Sequence, residues 1–213
     1  MLAAWTGDDR LNRASWLMEI AEVARGYELW HGERGEDQSA CGQASGRDRR
    51  MKYVDLDASM TLPGGEVIDG VISPVEYLKR LPEFADALPA GARTFAADPQ
   101  HYDFHGPRCV KDLNLERISF DKTDGETSME LMFRHNCWKH EEDLIIRYEG
   151  VSDYGLDIAA PSGIEPRSVV ILDEILPHPD GCSHEIALRP GAITVVCRDL
   201  TATWVEADCP DKP

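Results

Sequence analysis

From Leu113 to Tyr148, apolar and polar positions alternate in three successive runs. The first ends at Phe120, and the second places Met129, Leu131 and Phe133 on one face. The third sets Leu144, Ile146 and Tyr148 in register. Lys122-Thr123-Asp124-Gly125 separates the first two runs. Asp-Gly between alternating runs predicts a hairpin, because its tight turn needs positive φ. Further strands are expected at Val169–Leu176, His184–Leu188 and Ala192–Glu206.

Two slips of phase bear on the shape. The apolar parity switches around Glu116-Arg117, and again across Arg198-Asp199. An extra residue that reverses the pleat is a β-bulge, and bulges bend a sheet. No repeat is visible in the residues themselves.

Helical periodicity belongs to the N-terminal half. Leu11, Ala14, Leu17, Met18, Ala21 and Ala24 recur at three- and four-residue steps between about Asp9 and Trp30. They predict an amphipathic helix. Gly32 to Arg50 has no apolar period and reads as a flexible linker. Met51-Lys52-Tyr53-Val54-Asp55-Leu56 then reads as an opening strand. Met51 is also a candidate translation start, with residues 1–50 then outside the native product.

Ser73-Pro74-Val75-Glu76 resembles a capping box with proline at the first helical position, so a helix should begin at Pro74. Pro82 should kink or divide it, and Pro89 should stop it. A short strand is expected at Ala92–Ala96. The fold class is therefore α+β. A curved antiparallel β-meander, half-barrel or sandwich, is expected to pack a helix and to carry an N-terminal helical extension. The domain division is 1–50 for the extension and linker, and 51–213 for one α+β domain.

Charge narrows the range of partners. Acidic residues outnumber basic ones by 39 to 22, giving a net charge of −17. Residues 1–50 hold 9 acids and 7 bases, so −15 falls on the remainder. Such a surface repels nucleic-acid phosphates and anionic lipid, and it favours encounter with basic proteins. The N-terminus lacks a secretory apolar region, and no apolar run reaches membrane-spanning length. The expected location is the cytoplasm, with the six cysteines as reduced thiols.

Catalytic signatures are missing. Phosphate-binding glycine loops, the Gly-x-Ser-x-Gly elbow and the His-Glu-x-x-His helix do not occur. His135, Cys137 and His140 are candidate metal ligands by residue type, but the paired spacing of a structural zinc site is absent. His101, His105 and Cys109 would stack only on a helix, which Pro99 and Gly106-Pro107 oppose. Cys182, His184 and Glu185 could suggest a nucleophile and base, although a polar turn entering a strand fits them better. Asp173-Glu174 and Glu141-Glu142-Asp143 are expected on solvated faces. Loop aromatics remain, namely Tyr102, Phe104, Trp138 and Tyr154.

The segments Lys111–Asp121, Glu130–Asn136 and Leu144–Tyr154 resemble small bacterial immunity-type proteins encoded near polymorphic toxin systems. The resemblance covers roughly Lys111 to Glu206. It implies a non-catalytic binder of a toxin and supplies no catalytic residues; no cofactor is expected. The expected function is a non-enzymatic cytosolic binding protein that covers a basic partner. Its contact residues would be Trp138, Glu141, Glu142, Asp143, Asp153 and Tyr154. The alternatives are a metal-dependent or cysteine-based hydrolase using the His/Cys clusters, and a structural scaffold subunit. Oligomeric state is not read from the sequence.

Overall fold

The computed structural model describes residues 51–62, 64–158 and 168–207. The expected N-terminal helix and linker lie outside these residues. Among the described residues no helix is long and apolar enough to cross a membrane. They fall into two compact units. One contains residues 59–71, the distal part of a hairpin formed by β1 (Asp55–Thr61) and β2 (Val67–Ser73). The other contains residues 51–58 and everything from 72 onward.

The second unit is mostly antiparallel sheet. Its strands are β3 (Asn114–Thr123), β4 (Glu126–Arg134), β5 (Glu142–Glu149), β6 (Asp153–Asp157), β7 (Val169–His178), β8 (Gly181–Arg189), β9 (Ala192–Cys197) and β10 (Asp199–Glu206). They lie in the order β10-β5-β4-β3-β7-β8-β9-β6. β9 and β10 are separated only by Arg198, yet they stand far apart in that order. The sheet must therefore fold back on itself.

Strands β3–β6 and β7–β10 follow one plan twice. β3 and β7 each have 10 residues, and β4 and β8 each have 9. β3 is bulged between Leu115 and Arg117, and β7 at the equivalent place between Val170 and Leu172. The two copies meet where Asn114 pairs with Val169. The fourth strand of each copy then crosses over, so that β6 pairs with β9 and β10 with β5. Matching hydrogen bonds mark the two crossings: Arg198 N–H donates to Glu149 O at 2.9 Å, and Ser152 N–H to Val196 O at 2.9 Å. The parity change at Arg198-Asp199 is thus a change of sheet half rather than a bulge.

At the β3–β4 turn Asp124 and Gly125 have φ of 54° and 85°, as a type I′ turn requires. Met129, Leu131, Phe133, Leu144, Ile146 and Tyr148 are all buried, as their alternation predicts.

Two short helices accompany the sheet. α1 (Val75–Phe84) contains Pro82 and passes into a 3-10 turn over Ala85–Ala87. α2 (Ala90–Ala96) occupies the expected strand. Ala-Gly-Ala-Arg-Thr-Phe-Ala has no period-two pattern, and its N-terminus is satisfied from afar. Asp199 accepts the N–H groups of Gly91 and Ala92 at 3.1 and 2.9 Å. That acceptor is distant in sequence, so local reading misses the helix start. Gly91 is required there, because a Cβ would stand 1.9 Å from Leu200 O.

Candidate functional site

Two polar clusters stand out, one buried in the core and one at the connection between β4 and β5. The buried one centres on Asp173, whose carboxylate lies between two imidazoles. Its Oδ1 is 2.8 Å from His101 Nε2, and its Oδ2 is 2.8 Å from His184 Nε2. His184 Nδ1 meets the Tyr148 hydroxyl at 2.9 Å. His101 Nδ1 faces Phe95 O at 2.9 Å, and a carbonyl can only accept. Both ring nitrogens of His101 therefore face acceptors, which describes an imidazolium beside an ionised carboxylate.

The electrostatics agree. Burial opposes charge on His101, but the Asp173 charge and hydrogen bond outweigh it and raise its pKa. Burial likewise works to raise the Asp173 pKa, but the two histidines hold it far below the usual carboxylate range. A cavity of about 10 Å³, lined by Phe133, Ile146, Ile186, Asp173 and His184 among others, adjoins the cluster. That is about the room one water needs.

The neighbouring Glu174 accepts the backbone N–H groups of Lys52, Tyr53 and Val54 at 2.8, 2.6 and 2.9 Å. Asp173 and Glu174 are 1% and 3% exposed, so the expected solvated face is in fact the interior. The sign was present in the sequence: two acids interrupt the apolar run Val169–Leu176.

The second cluster follows from the hairpin register. β4 and β5 pair through Phe133 and Leu144. Beyond that pair the strands part, and His135 and Asp143 lie diagonally across the gap, one position out of register. Asp143 Oδ1 accepts the His135 backbone N–H at 2.8 Å and ring Nδ1 at 2.7 Å. His135 Nε2 then lies 3.3 Å from Cys137 Sγ.

Behind them the loop is tied to residues 108–113. His140 Nε2 donates to Cys109 O at 2.9 Å, and its Nδ1 accepts the Asn136 N–H at 3.1 Å. Both its nitrogens are engaged with His140 neutral, and burial lowers its pKa to about 4. Lys139 Nζ donates to Lys111 O at 3.1 Å. Arg108 grips Glu142 through two bonds of 2.5 and 2.9 Å. Trp138 is the exception, with 75% of its surface exposed.

No protein-family model, curated protein or solved structure matches the chain.

The residues singled out in the sequence thus divide. Trp138, Glu141, Glu142 and Asp143 gather at one end of β5. Glu142 and Asp143 bond Arg108 and His135. Glu141 is exposed, as is Glu206, whose register partner is Glu142. Asp153 and Tyr154 begin β6 beyond the other end of β5, roughly 25 Å of strand away. There Tyr154 packs against Phe120 at 5.0 Å between ring centres.

Among the other loop aromatics, Tyr102 is buried and donates to Asp173 O at 3.2 Å. His135, Cys137 and His140 do not converge on one point. No group of three or more metal-ligating side chains could hold an ion among the described residues. Cys182 faces Cys197, with the sulfurs 3.6 Å apart, while His184 bonds Asp173 and Tyr148. Those two residues are not paired as nucleophile and base. His101 and Cys109 are buried and His105 is exposed. Asp143 is the member of the loop cluster whose bond to His135 sequence reading missed, because that bond runs one position out of the hairpin register.

Proposed function

We propose that the chain is a non-enzymatic binding protein whose 135–143 loop docks a basic protein, with Trp138 as the anchor. One observation carries this reading: a tryptophan 75% exposed on a loop whose neighbouring polar side chains are held in place. Aromatic anchors supply much of the energy of protein interfaces. A surface fixed before binding loses less conformational entropy when the partner arrives. Glu141, Glu206 and the net charge of −17 would steer a cationic partner toward it.

The resemblance to immunity-type proteins suggests the toxic domain of a secreted polypeptide as the partner. It also suggests the cytoplasm as the place of encounter. The solubility-only reading of the acidic surface gives no role to Trp138.

The test is a calorimetric titration of the full chain with the C-terminal domain of the polypeptide encoded immediately upstream. Wild type should bind, and Trp138→Ala should weaken binding by about 2 kcal/mol or more, roughly 30-fold. Raising salt should slow association. Equal affinity of the two proteins, or no binding by wild type, would reject the proposal.

A further inference from the structure

We infer that Cys137 is a reactive thiol, activated by His135 and Asp143, that exchanges with low-molecular-weight disulfides. The inference does not depend on whether Trp138 docks a partner. Asp143 accepts the proton on His135 Nδ1, which fixes the tautomer and leaves Nε2 toward Cys137 Sγ at 3.3 Å. This is the order of nucleophile, base and orienting carboxylate that thiol activation requires.

Position sets Cys137 apart from the other described thiols. It is partly exposed, whereas Cys109, Cys182 and Cys197 are buried. Burial pushes the Cys109 thiol up to about 11. The Cys182 hydrogen bond and burial raise that of Cys197. The Cys197 sulfur faces Cys182 Sγ at 3.6 Å rather than an imidazole.

The local shape selects the chemistry. Acyl transfer needs a cleft and donors preset for an oxyanion, and among the described residues the cavity beside Asp173 does not include Cys137. Disulfide exchange needs only a thiolate with in-line access to sulfur. His135 Nε2 takes the Cys137 proton, and the thiolate attacks one sulfur of the reagent. A protein–reagent S–S bond forms as the reagent's own S–S bond breaks. The departing thiolate receives the proton from the imidazolium. The disulfide is itself the oxidant, so no further electron acceptor is needed. A cationic disulfide suits the acidic surface.

Cystamine is the probe, followed by intact-mass and peptide mass spectrometry on full-length protein. Cys41→Ser and Cys209→Ser remove competing thiols. One adduct should form, on Cys137. At pH 7 it should form at least tenfold faster than in His135→Gln. The gap should close above about pH 8.5, where a free thiol ionises unaided. A purely structural role of His135 would give no such pH-dependent gap. Asp143→Asn, which keeps a group able to accept the His135 backbone N–H, should slow the reaction several-fold. An adduct elsewhere, no adduct, or equal rates at pH 7 in wild type and either variant would overturn the inference.

Discussion

The halves β3–β6 and β7–β10 share the lengths of their first two strands, their bulges and their crossings, yet their interiors are chemically different. By register, Ile118 and Met129 of the first half correspond to Asp173 and His184 of the second. The connections differ as well. β8 reaches β9 through Pro190-Gly191, whereas β4 reaches β5 through residues 135–141. One half therefore carries its polar groups inside the core, and the other carries them in an inserted loop. A duplicated backbone tolerates both, because strand pairing and bulges set its shape while side chains remain exchangeable. Each departure from the shared plan marks a place where something besides the sheet is being specified.

The core difference should have the largest effect. Asp173→Asn removes the ionised partner of His101 and should cost about 3–5 kcal/mol in urea unfolding. At the equivalent position, Ile118→Val should cost only about 0.5–1.5 kcal/mol. Similar losses at the two sites would abolish the distinction.

The same pair should give stability a pH signature. The raised His101 pKa stabilises fully below about pH 6.5, and this is lost as pH rises through the raised folded value. The lowered Asp173 pKa stabilises above about pH 3.9, and this is lost as pH falls toward the folded value. The stability gap between wild type and Asp173→Asn should therefore be widest between about pH 4 and 6.5. Urea midpoints across pH measure it, and a gap independent of pH would contradict the ion pair.

Next in size is the hairpin turn of the second half. Gly181 has φ of 127°, and a Cβ there would stand 2.3 Å from Arg198 O. Gly181→Ala should cost more than about 1 kcal/mol. Glu126, at the equivalent position, pairs with Arg198 at the surface, and Glu126→Ala should leave the midpoint little changed. Tyr77→Phe, which removes a 2.9 Å hydrogen bond to Ile175 O, should cost about 1 kcal/mol. Smallest is Trp138→Ala, which should alter stability by less than about 0.5 kcal/mol. Thermal melts would show a larger loss if Trp138 were a packing residue.

How far the sequence foretells this depends on the range of the interactions. The hairpin through Asp124-Gly125, the bulge at Glu116 and the inward face of β4 and β5 are local patterns, and they are legible. α2 is not, because its cap is Asp199, and neither is the shared plan of the halves. The two halves keep the lengths of their leading hairpin strands and the bulge position while exchanging Ile118 for Asp173. Met51–Val54 reads as strand, but Glu174 holds it in place of a neighbouring strand. At the candidate site Trp138 is legible as a loop aromatic. The bonds that fix His135, Lys139 and His140 depend on Cys109 O, Lys111 O and Asp143, partners that tertiary structure supplies.

The proposed docking role of Trp138 depends most on the inserted loop being fixed before any partner arrives. Amide hydrogen exchange of His135, Asn136, Lys139 and His140 tests this directly, since each N–H has a partner within the loop or at Asp143. Exchange as slow as that of the adjoining β4 and β5 amides is the expected result. Exchange at the rate of an unprotected chain would contradict a preformed surface.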